Sequence, residues 1–200
     1  MAITLAITGA SGAMYGLRLL ECLLQAQQTV YLVISEAGKL VINLETHFTL
    51  ADETSAVQQQ LHDYFQVSAQ QLQVFDLNQW MSPIASGSSV SRAMVVCPCT
   101  SGTLSAIAYG QSRSLIERAA DVTLKEQKKL ILVHRETPLS VIHLENMLRL
   151  AKLGVLILPA SPGFYHQPEQ INQLVDFIVA RVLDHLDIPH QLLPRWGEAS

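Results

Sequence analysis

Hydrophobic positions along this chain fall into short solid runs, alternating with stretches in which they recur every three or four residues. Ile3-Thr4-Leu5-Ala6-Ile7-Thr8 is such a run, stopped by Gly9, and from Met14 the spacing turns helical through Leu17, Leu20 and Leu24. Residues 30–34 form a second β-prone run closed by Ser35, after which Ala37, Leu40, Val41 and Leu44 predict another helix. Residues 55–65 are polar and glutamine-rich, with Val57, Leu61 and Phe65 roughly on one face, and residues 73–75 suit a short strand. Ala93-Met94-Val95-Val96-Cys97 is wholly apolar, and Pro98 and a turn over Thr100-Ser101-Gly102-Thr103 lead from it into small helix formers. The pattern then predicts a helix over 115–126, a strand over 130–133, a helix over 140–153, a last buried strand over 155–158 and an amphipathic helix over 174–186.

Apolar strands alternating with helices call for a parallel sheet covered on both faces, because such strands have no solvent side. The expected fold is therefore α/β: a three-layer, doubly wound, Rossmann-like (flavodoxin-like) parallel sheet with helices on both faces. Two hundred residues suit one domain with its own core. No repeat or linker divides residues 1–200, and a C-terminal tail is expected from about 187. The loop over 82–91, with Pro83 and Gly87, is the one whose composition stands out.

Composition changes this picture in one respect. The chain is 49% apolar and 15% charged, against about 25% charged in an average soluble domain. Some apolar surface is therefore expected to meet other subunits, the alternative being a monomer with a large core. No stretch approaches the roughly 20 uninterrupted apolar residues of a spanning helix. A net charge of −4 without a cluster of lysine or arginine excludes a nucleic-acid binder. The chain runs directly into its first strand with no basic leader, which predicts a cytoplasmic protein. Cys22, Cys97 and Cys99 are expected as small buried residues of a reduced protein, since Cys97-Pro98-Cys99 is too tight for metal or redox spacing. The seven histidines show no ligand spacing, so no metal site is expected.

In an open α/β sheet, ligands bind outside the carboxyl ends of the strands, where helix N-termini direct unpaired amides outward. Four features fall at such ends: Gly9-Ala10-Ser11-Gly12, Ser35, Thr100-Ser101-Gly102-Thr103 and Arg135-Glu136. The glycine turn alone is equally a structural turn, because the full spaced-glycine dinucleotide fingerprint is absent. Hydroxyls and glycines gathered at several strand ends favour a phosphate or flavin, and the lack of a clear ribose-binding carboxylate at Ser35 favours a mononucleotide. Arg135-Glu136 reads either as a surface ion pair or as an anion clamp beside a proton carrier, provided the Glu136 pKa is raised toward neutrality. Arg118 and Lys125 share one helix face, which is equally a solvated face. Arg181 interrupts an apolar helical stretch and needs Asp176, Asp184 or a bound anion as partner. Gly163-Phe164-Tyr165-His166 places aromatics on a loop at the ligand end, joined by Trp80 and Trp196.

These segments together resemble a known family. Gly9-Ala10-Ser11-Gly12, Ser86-Gly87-Ser88, the loop from Pro98-Cys99 to Thr103-Leu104, Arg118-Ala119-Ala120-Asp121 with Lys125-Glu126, Arg135-Glu136-Thr137-Pro138 and Gly163-Phe164-Tyr165-His166-Gln167-Pro168 are similar, in order and spacing, to the UbiX flavin prenyltransferases, from residue 3 to about 196. The resemblance implies transfer of the dimethylallyl group of dimethylallyl monophosphate to reduced FMN. The product, prenylated FMN, would serve a UbiD-type decarboxylase in ubiquinone or aromatic-acid metabolism. It implies that Gly9, Ala10, Ser11, Ser35, Thr100, Ser101, Gly102, Thr103 and Arg135 hold FMN. Lys125, Tyr165 and Arg181, with Arg118, Ser86, Gly87, Ser88 and Trp196, would bind the prenyl phosphate. Glu136, Ser11 and Glu45 would take part in the chemistry, without a metal, in a homo-oligomer expected to be a dodecamer. His134 stands where many members carry proline, and Ser114 where asparagine or glycine is frequent. The first of these puts the geometry of the Arg135-Glu136 loop in question.

Two rivals remain at the level of sequence. An FMN-dependent decarboxylase of cysteine-type substrates shares the fold and flavin site, but its Pro-Ala-Ser-Ala-Asn-Thr loop is replaced by Pro98-Cys99-Thr100-Ser101-Gly102-Thr103, and no Pro-x-Met-Asn occurs. A non-catalytic flavin carrier would not require Glu136, Lys125 and Arg181 together. An older reading, intrinsic decarboxylation of an aromatic acid, is also compatible with the sequence.

Overall fold

Six strands form one parallel sheet in the computed structural model, which describes residues 2–193. They are β1 (Ile3–Ile7), β2 (Val30–Ile34), β3 (Leu72–Phe75), β4 (Ala93–Cys99), β5 (Lys129–His134) and β6 (Leu156–Pro159), lying side by side in the order β3-β2-β1-β4-β5-β6. The chain winds outward in both directions from the β1/β4 junction, which is the topological switch point of a doubly wound fold. Seven α-helices join and follow the strands: α1 (Ala13–Gln25), α2 (Glu36–Glu45), α3 (Thr54–Phe65), α4 (Ser101–Ala108), α5 (Leu115–Lys125), α6 (Val141–Lys152) and α7 (Ile171–His185).

Side chains alternate across the sheet and feed two cores. Ile3, Leu5 and Ile7 of β1, with Val95 of β4 and Val133 of β5, pack under α1, α3 and α7. Ala6, Met94, Val96 and Leu132 face the other way, under α4, α5 and α6. Every residue of β1 and β4 is buried, as strands covered on both faces must be. The three cysteines are free and buried, and burial pushes their thiols up, Cys22 to about 11. No helix among the described residues is long and apolar enough to cross a membrane.

Three expected elements differ. β4 runs two residues past Cys97, through Pro98, and its register with β5 shifts between Val96 and Cys99, so Cys99 faces the same core as Val96. The turn expected over 100–103 is instead the cap and first turn of α4, because Thr100 accepts a hydrogen bond from the Thr103 amide and starts the helix at Ser101. The last strand is not fully buried: β6 is the sheet edge, half-exposed to exposed along its length. The expected tail from about 187 is described only to residue 193, and Trp196 lies outside the described residues.

Helix α1 presses close on the sheet at Gly16. A Cβ on Gly16 would run into the Cys97 carbonyl oxygen and the Ile7 side chain, so only hydrogen fits at this point of α1. Gly16→Ala is expected to destabilise the chain by about 1–3 kcal/mol through overpacking, read as a lower urea midpoint at unchanged slope. An unchanged midpoint would contradict the close approach.

Candidate functional site

The carboxyl ends of β1, β2, β4 and β5 converge on one edge, and their loops are tied to each other by polar contacts. Thr8, just past β1 and 2% exposed, donates its hydroxyl proton to the Pro98 carbonyl at 2.7 Å and accepts from the Thr100 amide at 3.0 Å. Gly9 packs so tightly on Ala37 that any side chain would collide, and Gly12 caps α1 with φ of +107°, a conformation that favours glycine. Ser35 caps α2 by accepting from the Gly38 amide at 3.0 Å. Arg135 reaches across from the end of β5 and donates from Nε to the Ser11 carbonyl at 3.1 Å. Thus Gly9, Ser11, Ser35, Thr100 and Arg135, expected together, are brought together.

Glu45 joins them from the far end of α2. Its carboxylate accepts from the amides of Gly12 and Ala13 at 2.8 and 2.9 Å, so it caps the N-terminus of α1. Burial works to raise its pKa, but hydrogen bonds from Ser11, Gly12 and Ala13, with the positive Arg135 nearby, hold it below the usual carboxylate range. The glycine turn expected to present α1 amides to a phosphate therefore spends two of them on a side chain. The first-turn amides of α4, at Ser101 and Gly102, donate to no such internal partner among the described residues.

The acid–base group is centred on Ser101. Its hydroxyl donates to Glu136 Oε2 at 2.9 Å and lies 3.1 Å from His134 Nε2. The Ser101 hydrogen bond, followed by the Thr137 amide, lowers the Glu136 pKa below its ordinary value. The raised pKa that proton relay by Glu136 would call for is not its resting condition: the carboxylate is ionised and ready to accept. His134 is buried as the last residue of β5, in register with Cys99 and Pro159. β5 keeps an unbroken register with β6 up to His134, and the extra residue of the β4–β5 register shift lies on the β4 side.

The remaining expected residues lie in other places. Arg118 donates to the Ala85 carbonyl and to Asp121, pinning the 82–91 loop to α5. Lys125 pairs with Glu126 at 2.5 Å, and Gly87 lies so close to both that a Cβ would strike them; Ser86 and Ser88 share a hydrogen bond at 3.0 Å beside it. This cluster is on the α5 face, and Lys125 ends α5 beside the start of β5, so the length of that strand, about 20 Å for six residues, lies between it and Arg135 at the other end. Arg181 is on α7, on the opposite face, and its partner is Asp184 at 2.6 Å; Asp176 is held by Arg18. Tyr165 is on the loop before α7, edge-on to Phe177, whose ring stacks on His166. Sequence reasoning missed Thr8 and the His134–Ser101 contact, both of which look in sequence like ordinary strand and cap residues.

Comparison with known proteins decides what this edge belongs to. The Flavoprotein family model matches residues 1–183. The flavin prenyltransferase UbiX of Pseudomonas aeruginosa is 58% identical over 196 residues, covering 98% of this chain and 94% of the relative. The chain belongs to the UbiX flavin prenyltransferases. Among solved structures, a UbiX protein in complex with FMN and dimethylallyl pyrophosphate superposes with a TM-score of 0.87 at 39% identity, covering 100% of this chain and 98% of that one. A dodecameric FMN-dependent UbiX-like decarboxylase from Escherichia coli O157:H7 gives 0.86 at 38% identity, covering 99% of this chain and 100% of the other.

For this flavin prenyltransferase the residues at the edge fit a flavin mononucleotide. Unpaired α4 amides and the Thr103 hydroxyl suit its phosphate, and Arg135 has no ion-pair partner among the described residues. The space above Gly102 is open: among the described residues, its chain neighbours and its own helix backbone aside, a Cβ placed there would meet only Thr100 Oγ1, at 3.8 Å. Glu45→Gln is expected to cost about 1 kcal/mol at neutral pH, the scale of a lost helix cap. A carboxyl held below its ordinary pKa contributes above that ordinary value and loses the contribution as pH falls through the lowered one. The stability gap between the native chain and Glu45→Gln, measured by urea unfolding, should therefore close on acidification below about pH 4. A gap that widened would contradict the cap.

Proposed function

We propose that this chain transfers the dimethylallyl group of dimethylallyl monophosphate to reduced FMN and hands prenylated FMN to a UbiD-type decarboxylase. The observation that carries the reading is the convergence of the Gly9–Gly12 turn, the Thr100–Thr103 cap and Arg135-Glu136 on one sheet edge, in a chain 58% identical to a flavin prenyltransferase. FMN is held by Gly9, Ala10, Ser11, Ser35, residues 100–103 and Arg135. Reduced flavin supplies the electron-rich ring atoms that accept the allyl group. Cleavage of the allylic carbon–oxygen bond leaves its electron pair on the phosphate, and Lys125 and Arg181, with Arg118 in support, stabilise that charge. Tyr165 offers an aromatic face to the cationic allyl fragment. Glu136, ionised at rest, accepts a proton that the flavin ring releases as it bonds to the allyl group, the departing phosphate carrying the proton between them. Ser11 lies in the turn beside the flavin, with Glu45 against the same turn.

Because Lys125 and Arg181 lie on opposite faces of one chain, they meet a single phosphate only across subunits. A homo-oligomer, expected to be a dodecamer, answers that need. Its interfaces would also cover the apolar outer face of α6, where Val141, Ile142, Leu144 and Leu148 are all exposed. The cysteine-type decarboxylase and the passive carrier are separated from this reading by one experiment. The protein is incubated anaerobically with reduced FMN and either dimethylallyl monophosphate or the pyrophosphate, and the extracted flavin is weighed by mass spectrometry. A flavin heavier by one prenyl group with the monophosphate is the expected result. An unchanged flavin, with carbon dioxide released from cysteine-containing substrates, would contradict it. Glu136→Gln should retain FMN while product maturation slows by roughly a hundredfold; loss of FMN binding would make Glu136 structural instead.

A further inference from the structure

We propose that His134 is a positioning residue for this reaction: by donating a hydrogen bond to Ser101, it fixes the Glu136 carboxylate at the mouth of the flavin cradle. The inference rests on the prenyltransferase reading for its consequence and on hydrogen-bond accounting for its geometry. Ser101 has one hydroxyl proton, and an ionised carboxylate can only accept, so that proton lies on the 2.9 Å contact to Glu136 Oε2. At the 3.1 Å contact the Ser101 oxygen must then accept, and His134 must donate from Nε2. The order of the chain is imidazole N–H to hydroxyl to carboxylate, in which each bond polarises the next.

This order differs from that of a serine nucleophile and its base. There the imidazole accepts the serine proton and a carboxylate orients the imidazole from its other nitrogen. Here the carboxylate is on the serine, so Ser101 transmits a hydrogen bond and is not activated for attack. Glu136 otherwise has the Thr137 amide at 3.2 Å, a neighbour on its own loop, so Ser101 is what ties it to α4.

His134 is built to be rigid. It is 3% exposed, and its ring lies edge-on to that of His143 on α6, 6.2 Å between centroids. His143 is itself pinned, its Nδ1 accepting from the Ser140 amide at 3.3 Å in the cap of α6. The groups facing His134 are Ser101 from α4, His143 from α6, and Arg135 and Glu136 from its own loop. Burial first, then His143 and Arg135, lower its pKa against the opposing pull of Glu136, so the imidazole donates as a neutral group. Proline at this position would supply no donor.

The test has two parts. Histidine-selective 15N NMR of the flavin-free protein should show His134 protonated on Nε2; protonation on Nδ1 alone would overturn the proposal whatever the enzyme does. Single-turnover formation of prenylated flavin, with the FMN dissociation constant measured alongside, is then compared across His134→Leu, Ser101→Ala, the double variant and His134→Gln. His134→Leu should slow maturation roughly tenfold, the scale of one lost hydrogen bond in a chain ending on a charge. The double variant should be no slower than Ser101→Ala, because the two act through one contact. His134→Gln, which keeps a side-chain N–H, should recover most of the rate. Independent, multiplying effects, or a glutamine variant as slow as the leucine one, would overturn the role while leaving the prenyltransferase reading intact. Failure of the unaltered protein to form any heavier flavin would defeat that reading instead, and the NMR result would still decide the hydrogen-bond order.

Discussion

β1 and β4 send the chain into opposite halves of the sheet, and one buried hydroxyl fixes how far apart their carboxyl ends stand. Thr8 donates to the Pro98 carbonyl from both its amide, at 3.2 Å, and its hydroxyl, and the hydroxyl accepts from the Thr100 amide, which locks the seam at the switch point. The first turn of α4 is placed by that contact, and with it Ser101, Gly102 and Thr103. On the other side the glycine turn follows Thr8 directly, and α1 is drawn down until Gly16 touches the Cys97 carbonyl. The two walls of the crevice are therefore one construction, joined through Thr8 and the Pro98 and Thr100 backbone groups.

Charge at this edge is arranged in advance of any ligand. Glu45 satisfies the N-terminus of α1, Arg135 ties β5 to the Ser11 carbonyl, and Ser101 holds Glu136 ionised. Each carboxylate is stabilised by donors in fixed positions, which costs less at the moment of reaction than recruiting water would. Anion capacity is left at the start of α4 and at Arg135. The helix starts gathered at this edge thus divide the labour: a side chain caps α1, and the first amides of α4 are left for a ligand.

The strand and helix pattern was legible because parallel strands buried on both faces carry solid apolar runs, as residues 3–7, 30–34 and 93–97 do. The edge position of β6 was not, since Val155 to Leu158 is as apolar as a central strand and only the sheet order exposes it. Turn chemistry announced Gly9–Gly12 and Ser35, but a threonine in a strand signals nothing but β-propensity, so Thr8 went unread. Arg118 and Lys125 were readable as one helix face; that the 82–91 loop lies against it is a tertiary fact. Arg181 offered two acidic neighbours in sequence, and only the packing of α7 on α1 gives Asp176 to Arg18 and leaves Asp184 for Arg181.

On the proposed reading one chain carries a flavin cradle, and Lys125 and Arg181, the two cations assigned to the prenyl phosphate, lie on opposite faces of it. The account stands or falls on whether those two cations come from different copies. Lys125→Ala and Arg181→Ala variants, each inactive as separate preparations, should regain flavin prenylation when co-expressed, because mixed oligomers contain sites with both native residues. A mixture no more active than its components, with mixed oligomers demonstrated by mass, would show that each site is built within a single chain and would contradict the arrangement.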